Sequence, residues 1–279
     1  MNEITEPTVT TDGETPNPEK PAKKEDSFIV FLIKLVFIVL VFRSFIYSPF
    51  SIPSESMLPQ LANGDHLLAS KWAYGYSKYS LPGEVPLIPG RVFASLPERG
   101  DIVIFKHPVD GTDYIKRAIG LPGDTIEMQQ GQIILNGTPV PKQRIANFEN
   151  ALSPNTLCHP LAETVSKPDG TMVCSYVQFK ETLPSGESYN VLDFGAMEKD
   201  NFGPIIVPEG KIFVMGDNRD NSQDSRFPAT PGGGVGLVPQ ELLVARASVI
   251  MWSTDGGAEW IKPWTWFTAL RGDRIGNGL

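Results

Sequence analysis

Apolar residues are distributed along this chain in two different ways. Residues 28–47 form one continuous run, FIVFLIKLVFIVLVFRSFIY, interrupted only by Lys34, Arg43 and Ser44. At 1.5 Å per residue, a helix of this length spans roughly 30 Å, the thickness of the hydrocarbon core of a bilayer. The run therefore predicts one N-terminal transmembrane helix, and we assign residues 27–48 to a membrane anchor.

A cleavable leader is the main alternative to an anchor. The segment in front of the run is long and charged, and the residues that follow the apolar core contain no small-x-small cleavage site. Lys34 lies near one end of the run, from where its amine can reach the lipid headgroups. The run is therefore compatible with a membrane span, and the long charged tail and the missing cleavage site favour an uncleaved anchor.

Beyond the anchor, short runs of apolar and β-branched residues alternate with Gly, Pro and Asn. This pattern is typical of β-strands and hairpins joined by tight turns. We expect the strands and hairpins to lie in residues 101–108, 125–140, 176–194, 211–218 and 245–252. The sequence therefore predicts a mostly β fold built around an antiparallel β-sheet.

The composition of the remaining segments suggests a domain organisation. Residues 1–26 contain no aromatic residue and are rich in Thr, Glu, Pro and Lys, which predicts a disordered tail. Residues 141–204 are looser and contain Pro, Ser and both cysteines. We interpret them as a smaller β and irregular region inserted between two halves of the core, residues 49–140 and 205–279.

Charge limits the partners and indicates an orientation. The 279 residues carry a net charge of −8, which excludes a nucleic-acid partner recognised by electrostatic attraction. Lys20, Lys23 and Lys24 precede the apolar run. Because cytoplasmic flanks are enriched in Lys and Arg, we expect the tail in the cytoplasm and residues after about 48 outside it. Arg43 at the far end weakens this bias without reversing it.

The two cysteines could form a cross-link, and cysteine and histidine are common metal ligands. Cys158 and Cys174 would lie in a compartment that permits disulfides, and the spacing leaves open a disulfide or two separately buried thiols. His66, His107 and His159 stand alone, without metal-ligand spacing to other histidines or cysteines. We therefore expect neither a metal nor another cofactor.

A serine activated by a lysine is the chemistry that the remaining residues suggest. The segment SIPSESMLPQL, residues 51–61, holds Ser54 and Ser56 between two prolines that restrict the backbone. Lys116 lies in the apolar segment DYIKRAIGLPGD. A lysine acts as a base only when it is neutral, which requires removal from water. The alternative for a lysine in a strand is that it points outward into solvent.

Several segments together resemble one family. Four motifs of the bacterial type I signal peptidases resemble segments of this chain. The segments are SIPSESMLPQL, NGDHLLASKWAYG, RGDIVIFKHP with DYIKRAIGLPGD, and VMGDNRDNSQDSR. They occur in the order found in that family and behind a membrane anchor. The resemblance covers residues 42–75, 99–125 and 207–226, with weaker similarity to residue 252.

The resemblance implies a Ser-Lys dyad protease on a mostly β fold. By their positions in the motifs, Ser56 is the expected nucleophile and Lys116 the expected general base. Ser54 is expected to form the oxyanion hole with the N–H of the nucleophile. Ser222 is expected to hydrogen-bond the lysine amine and hold its direction.

Two further sets of residues follow from the resemblance. Charged residues are expected to support the active site, and these are Asp217 with Arg117, and Asp224 with Arg226. Apolar residues are expected to form the substrate pockets, and these are Phe50, Ile52, Pro53, Met57, Leu61, Tyr114 and Ile115. Small apolar pockets would accept alanine-like side chains and exclude larger ones.

The implied function is cleavage of N-terminal signal peptides from exported precursors after small-x-small sites. The expected partners are those precursors and membrane lipid, at a bacterial inner membrane, with the catalytic domain on the periplasmic side. Two alternatives are a specialised peptidase that matures a single conjugation or pilus substrate, and an inactive anchored β module that binds exported proteins. The inactive module would require the loss of Ser56 or Lys116, and both residues are present.

The sequence also departs from the family pattern. Glu55 stands where glycine is common, Gln60 stands where threonine is usual, and residues 226–239, RFPATPGGGVGLVP, carry extra Pro and Gly. None of these departures removes an expected catalytic residue. Near the C-terminus, the tryptophans of the segment AEWIKPWTWF lie close together, and we expect them to contact the membrane interface rather than the core.

Overall fold

The computed structural model describes residues 27–259 and 261–279, and most of its regular structure is β. One long helix, α1, spans Phe28–Phe45, and a short one, α2, spans Thr265–Thr268. The strands, in chain order, are β1 Tyr47–Ser51, β2 Asp65–Ser70, β3 Tyr76–Ser77, β4 Arg91–Val92, β5 Ile102–Lys106, β6 Asp113–Gly120, β7 Thr125–Gln129, β8 Gln132–Leu135, β9 Thr138–Pro139, β10 Lys142–Arg144, β11 Phe148–Ala151, β12 Glu163–Ser166, β13 Met172–Tyr176, β14 Gln178–Thr182, β15 Ser188–Leu192, β16 Phe202–Ile206, β17 Lys211–Met215, β18 Val238–Pro239 and β19 Leu243–Ser253.

The apolar run forms a helix, as predicted, but the helix is shorter than the run. Its 18 residues are long and apolar enough to cross a membrane, and nearly all of its side chains are exposed. The helix ends at Phe45, and Tyr47 already pairs with Ser70 in a sheet. The Ser48 hydroxyl donates a hydrogen bond of 2.5 Å to the carbonyl of Arg43 and so satisfies one helix-terminal acceptor.

The largest sheet contains seven strands in the order β1-β2-β19-β5-β6-β17-β18, and all neighbours are antiparallel. Strand β5 is buried on both faces because apolar layers cover it from each side. Ile102 and Ile104 point into one apolar cluster, whereas Val103 and Phe105 point into another. The alternation of side chains along the strand produces this division. Strand β6, which carries Lys116, lies beside β5 near the middle of the sheet.

The predicted strands and hairpins of the sequence are confirmed. Strands β7 and β8 pair across a tight turn at Gly131, where φ is +75°, a backbone conformation that glycine adopts without strain. Strands β14 and β15 form the hairpin expected within residues 176–194. The fold is therefore mostly β and antiparallel, as the alternation of apolar and polar residues indicated.

The segment that we interpreted as an insertion forms two three-stranded sheets, β10-β14-β15 and β11-β13-β12. Cys158 and Cys174 are joined by a disulfide, with Cys174 in β13, the central strand of the second sheet, which decides between the two alternatives left open above. Strand β16 returns to pair with β7, so the predicted boundary between residues 204 and 205 falls inside a strand. The two-part organisation of the core remains a prediction.

Candidate active site

A tight loop after β1 presents Ser56. Met57, Leu58 and Leu61 have no exposed surface, and the Leu61 N–H donates to the Met57 carbonyl at 2.8 Å. These apolar side chains anchor the loop from below. Ser56 itself is 8% exposed and reaches the surface of an adjoining cleft.

Lys116 points inward from β6 toward this serine. Its Nζ lies 2.7 Å from Ser56 Oγ, and the side chain is almost fully buried, so the outward-pointing alternative is wrong. Burial lowers the pKa of Lys116 to about 8, although the negative charges of Asp224 and Asp217 act in the opposite direction. Loss of hydration explains the direction, because the ammonium form depends on water more than the amine does.

Ser54 and Ser222, the two other predicted serines, differ in their positions. Ser54 is exposed, and its Oγ lies 3.4 Å from Ser56 Oγ at the mouth of the site. Ser222 is buried, but its hydroxyl makes no hydrogen bond to Lys116 or to any other residue that the structure describes. The expected contact between Ser222 and the lysine is therefore not formed. Ser222 Oγ instead packs against Gly216, where an added Cβ would lie only 2.3 Å away.

Two buried ion pairs lie close to the site, with the pairing that the motifs suggested. Arg117 donates two hydrogen bonds to Asp217, at 2.8 and 2.7 Å, and Arg226 donates two to Asp224, both at 2.9 Å. Burial would raise the pKa of Asp224, but the charge and hydrogen bonds of Arg226, together with the N–H of Gly216, lower it. The lowered pKa keeps Asp224 ionised close to the lysine.

Sequence reasoning missed a third buried pair. Arg219 donates to both oxygens of Glu181, at 2.9 and 2.5 Å, and the Tyr189 hydroxyl donates to the same carboxylate at 2.9 Å. Arg219 lies in the recognised segment VMGDNRDNSQDSR. Its partner lies 38 residues earlier, in a region without resemblance to the family, so no motif indicated the pairing.

A mainly apolar cleft of about 360 Å³ opens beside Ser56. The predicted pocket residues that line it are Phe50, Ile52, Pro53, Tyr114 and Ile115. Met57 and Leu61 do not line it, because both are completely buried in the apolar cluster that supports the loop. The lining residues that sequence reasoning did not identify include Ile104, Asn221, Gln223 and Gly232.

The Pro- and Gly-rich segment 226–239 forms part of the rim of this cleft. The Gly232 N–H donates to Asp110 at 2.8 Å, and the Tyr114 hydroxyl donates to the Gly233 carbonyl at 3.4 Å. The Gly234 carbonyl lies 3.1 Å from the His107 ring. The extra residues therefore fold back against β6 and its neighbouring turn instead of disturbing the ion pairs behind the site.

Comparisons with known proteins show which family this chain resembles. The sequence profile of the family described as signal peptidase, peptidase S26, matches residues 26–252. A signal peptidase I of Rickettsia massiliae is 37% identical over 254 residues, which cover 88% of this chain and 85% of the relative. A signal peptidase I of Rickettsia typhi is 38% identical over 245 residues, which cover 84% of this chain and 82% of the relative.

Among solved structures, a signal peptidase I from Enterococcus faecalis is 27% identical to this chain. The match covers 55% of this chain and 97% of the other, with a TM-score of 0.29. The profile match and the Rickettsia relatives both extend over most of the residues that build the cleft and the ion pairs. The chain therefore belongs to the signal peptidase family, peptidase S26, and is a serine endopeptidase.

Proposed function

We propose that this chain removes N-terminal signal peptides from exported precursor proteins, cutting after small-x-small sites with a Ser56–Lys116 dyad. The observation that carries the proposal is the 2.7 Å contact between Ser56 Oγ and a buried lysine whose pKa is lowered to about 8. A neutral amine at that distance can accept the serine proton. The relatives named signal peptidase I support the substrate class.

Acylation follows from these positions. The Lys116 amine takes the proton of Ser56 Oγ as the oxygen attacks the scissile carbonyl, and the carbonyl oxygen becomes an oxyanion. Collapse of this intermediate breaks the peptide bond, and the protonated lysine gives its proton to the leaving amine. Water then repeats the sequence on the acyl-enzyme, with Lys116 again acting as the base, and this step releases the signal peptide.

The oxyanion is stabilised in this proposal by the Ser54 hydroxyl and the Ser56 N–H. Replacing Ser54 with Ala should lower kcat by roughly 10²- to 10³-fold, the usual effect of losing one oxyanion donor. KM should change little, because the hydroxyl acts only as charge develops. Steady-state kinetics test this expectation, with the exposed Ser185→Ala variant as the control; parent-like turnover in Ser54→Ala would remove Ser54 from the oxyanion hole.

Selectivity for apolar residues is supported by the lining of the cleft. Phe50, Ile52 and Ile115 present apolar side chains beside Ser56, in a cavity of about 360 Å³. Alanine-like side chains suit this lining, and the exclusion of larger ones is proposed from the resemblance to the signal peptidases. The apolar lining also keeps water away from Lys116 when a substrate is bound, which favours the neutral amine.

The membrane anchor and its orientation complete the proposal. Helix α1 is long and apolar enough to cross a membrane, and the lysines before it favour a cytoplasmic N-terminus and a periplasmic catalytic domain. Near the C-terminus, Ile261, Trp264 and Phe267 are strongly exposed. These side chains support contact of the tail with lipid; the first tryptophan of this segment, Trp260, lies outside the described residues.

The direct test uses the full chain in a non-ionic detergent with two peptides. One peptide has Ala-x-Ala before the expected scissile bond, and the other has Phe in place of the second Ala. We expect cleavage after Ala-x-Ala alone, located by mass spectrometry, and no cleavage by Ser56→Ala. Equal cleavage of both peptides would exclude the proposed selectivity, and an active Ser56→Ala variant would exclude the proposed nucleophile.

Metal removal should leave this reaction unchanged. In the ranges 27–259 and 261–279, no group of three or more His, Cys, Asp and Glu side chains is arranged to hold an ion. We expect the rate of peptide cleavage in EDTA to equal the rate without it. Loss of activity that is restored by added zinc would show that a metal participates, and the Ser-Lys mechanism would then have to be abandoned.

The range of precursors can be tested separately from the chemistry. If the enzyme processes exported proteins in general, depletion of the protein should cause many uncleaved precursors to accumulate. Accumulation of a single conjugation or pilus precursor would instead support the specialised alternative. A proteomic survey of uncleaved N-termini after depletion distinguishes the two outcomes.

A further inference from the structure

Asn218, which immediately follows the Asp217 of the first ion pair, makes direct contact with the nucleophile loop. It has no exposed surface. Its backbone N–H donates to the Ser56 carbonyl at 3.1 Å, and its Nδ2 donates to the Glu55 carbonyl at 3.1 Å. Two consecutive carbonyls of the loop are therefore held by one residue that lies 162 positions after Ser56.

The Glu55 carbonyl is held from two directions. Besides Asn218 Nδ2, it accepts the N–H of Leu58 at 3.1 Å, across the turn formed by residues 55–58. A carbonyl oxygen has two lone pairs, so both of its acceptor positions are occupied. The peptide unit between Glu55 and Ser56 consequently has little freedom to rotate.

The orientation of this peptide unit determines where the Ser56 N–H points. The bond is trans, because the cis bonds of the described residues lie elsewhere. In a planar trans peptide the N–H and C=O point in opposite directions. The Ser56 N–H therefore points away from Asn218 and Leu58, and no acceptor for it occurs among the residues that the structure describes.

The direction of the Asn218 amide is determined by its neighbour. The group facing it is the Glu55 carbonyl, which can only accept, so the NH₂ and not the oxygen must face the loop. The Asn218 Oδ1 is buried and has no hydrogen-bond partner among the described residues. Burial of an unpaired amide oxygen is unfavourable, so the contact of Asn218 with the loop is formed at some cost in stability.

The neighbours of Asn218 connect this contact to the general base. The preceding residue, Asp217, pairs with Arg117, which adjoins Lys116 in β6. A parallel bridge between Leu192 and Asn218, with the Leu192 N–H donating to the Asp217 carbonyl at 2.9 Å, fixes the segment from the other side. One short segment thus contacts both the nucleophile loop and the strand of the base.

We propose that Asn218 is a positioning residue for the oxyanion hole: by holding the Glu55 carbonyl it keeps the Ser56 N–H directed at the developing oxyanion. This inference rests on the proposed function, because it requires Ser56 to be the nucleophile. Asn218 does not touch the substrate. Its effect is exerted through the peptide unit that carries the donor.

The test compares Asn218→Asp with Asn218→Ala in the full chain. The Asp variant keeps the volume but places a carboxylate oxygen against the Glu55 carbonyl, whereas the Ala variant removes the contact. We expect kcat to fall by roughly 10- to 100-fold in both, as for a weakened oxyanion donor, while KM stays within about 2-fold. In Asn218→Ala the rising limb of the pH profile should stay at the parent position, because neither Lys116 nor any charged group near it is altered.

A peptide aldehyde provides a readout that a loss of stability would not affect. Ser56 Oγ adds to the aldehyde carbon, the carbonyl π bond opens to an oxyanion, and the serine proton passes to Lys116. We expect affinity for the aldehyde to fall by the same factor as kcat, and affinity for the corresponding product acid to remain unchanged. Asn190→Ala, on β15 away from the cleft, is the control that should behave like the parent.

Other outcomes would overturn the inference. Parent-like kcat in a folded Asn218→Asp variant would do so, as would equal losses of aldehyde and product affinity or a displaced pH limb in Asn218→Ala. Failure of both variants to fold would also count against it, because a positioning residue must leave a folded, slow enzyme. If the parent does not cleave the Ala-x-Ala peptide, or Ser56→Ala does, the proposed function itself fails, which is a distinguishable result.

Discussion

Replacement of Lys116 with Arg should reduce kcat by roughly 10⁴- to 10⁶-fold, to the level of Lys116→Ala. Arginine keeps a positive charge and a similar length, but it does not lose its proton in the accessible pH range. It therefore cannot accept the proton of Ser56, whose oxygen lies 2.7 Å from the lysine nitrogen in the parent. The measurement is peptide cleavage by the parent and both variants under identical detergent conditions.

The pH dependence of kcat/KM in the parent enzyme tests the role of Lys116 independently. Burial lowers the pKa of Lys116 to about 8, so kcat/KM should rise as pH increases through that value. The rate rises with pH because the neutral amine of Lys116 is the active form, and this form accumulates above the pKa. An unperturbed lysine would place the rise near pH 10.4 instead.

The control is Lys180→Arg, which changes an exposed lysine on β14 and should leave both the rate and the profile unaltered. Substantial activity in Lys116→Arg would identify another group as the base. A parent profile that is flat between pH 5 and 10 would lead to the same conclusion.

Local pattern predicted the elements of this fold well. Strands such as β7 and β8 combine alternating apolar residues with a glycine turn, and both features are properties of neighbouring residues in the chain. The end of α1 was harder to place, because apolar character continues to Tyr47. Pairing of Tyr47 with Ser70 in the sheet, a contact between distant residues, terminates the helix at Phe45.

The site residues that lie in short motifs were predicted well from the sequence. The residues whose location depends on tertiary packing were predicted less well. Ser56 and Lys116 occur in recognisable segments, and the fold brings their polar atoms together. Met57 and Leu61 belong to the same segment, but an apolar residue can line a cleft or fill the core beneath it. The composition of the segment does not distinguish the two, and the structure places both in the core.

The features that the sequence did not predict depend on contacts between distant segments of the chain. Glu181 meets Arg219 only because the sheet β10-β14-β15 packs against the segment that follows β17, and nothing in either local sequence indicates this. For the hydroxyl of Ser222, by contrast, the sequence predicted a contact that the structure does not contain. Its motif suggested a hydrogen bond to the lysine, whereas close packing against Gly216 gives the side chain a different environment.

The buried pair between Arg117 and Asp217 leads to the second large expected effect. Asp217→Ala should lower the free energy of unfolding by about 3–5 kcal/mol, because it leaves a buried guanidinium without its carboxylate. The side chains of Arg117 and Asp217 are only 5% and 1% exposed, so water cannot replace the lost partner. Denaturant unfolding of parent and variant measures the difference.

A surface pair provides the matched control. Glu149 pairs with Lys167, but their side chains are 42% and 36% exposed, so Glu149→Ala should change stability by no more than about 1 kcal/mol. The double variant Arg117→Met with Asp217→Leu should be more stable than Asp217→Ala, because it removes the uncompensated charge as well as the pair. Equal stability losses in Asp217→Ala and Glu149→Ala would show that burial does not govern this interaction.

Asp217 should also affect the base electrostatically. Its negative charge acts to raise the pKa of Lys116, against the larger lowering by burial. Asp217→Asn keeps the volume of the side chain but removes the charge, so the ammonium form of Lys116 loses a favourable interaction and its pKa should fall further. The rising limb of the kcat/KM profile should therefore move below the parent position near pH 8, measured at a temperature where the variant is fully folded. A limb that moves to higher pH, or does not move at all, would mean that Asp217 supports the fold without tuning the lysine.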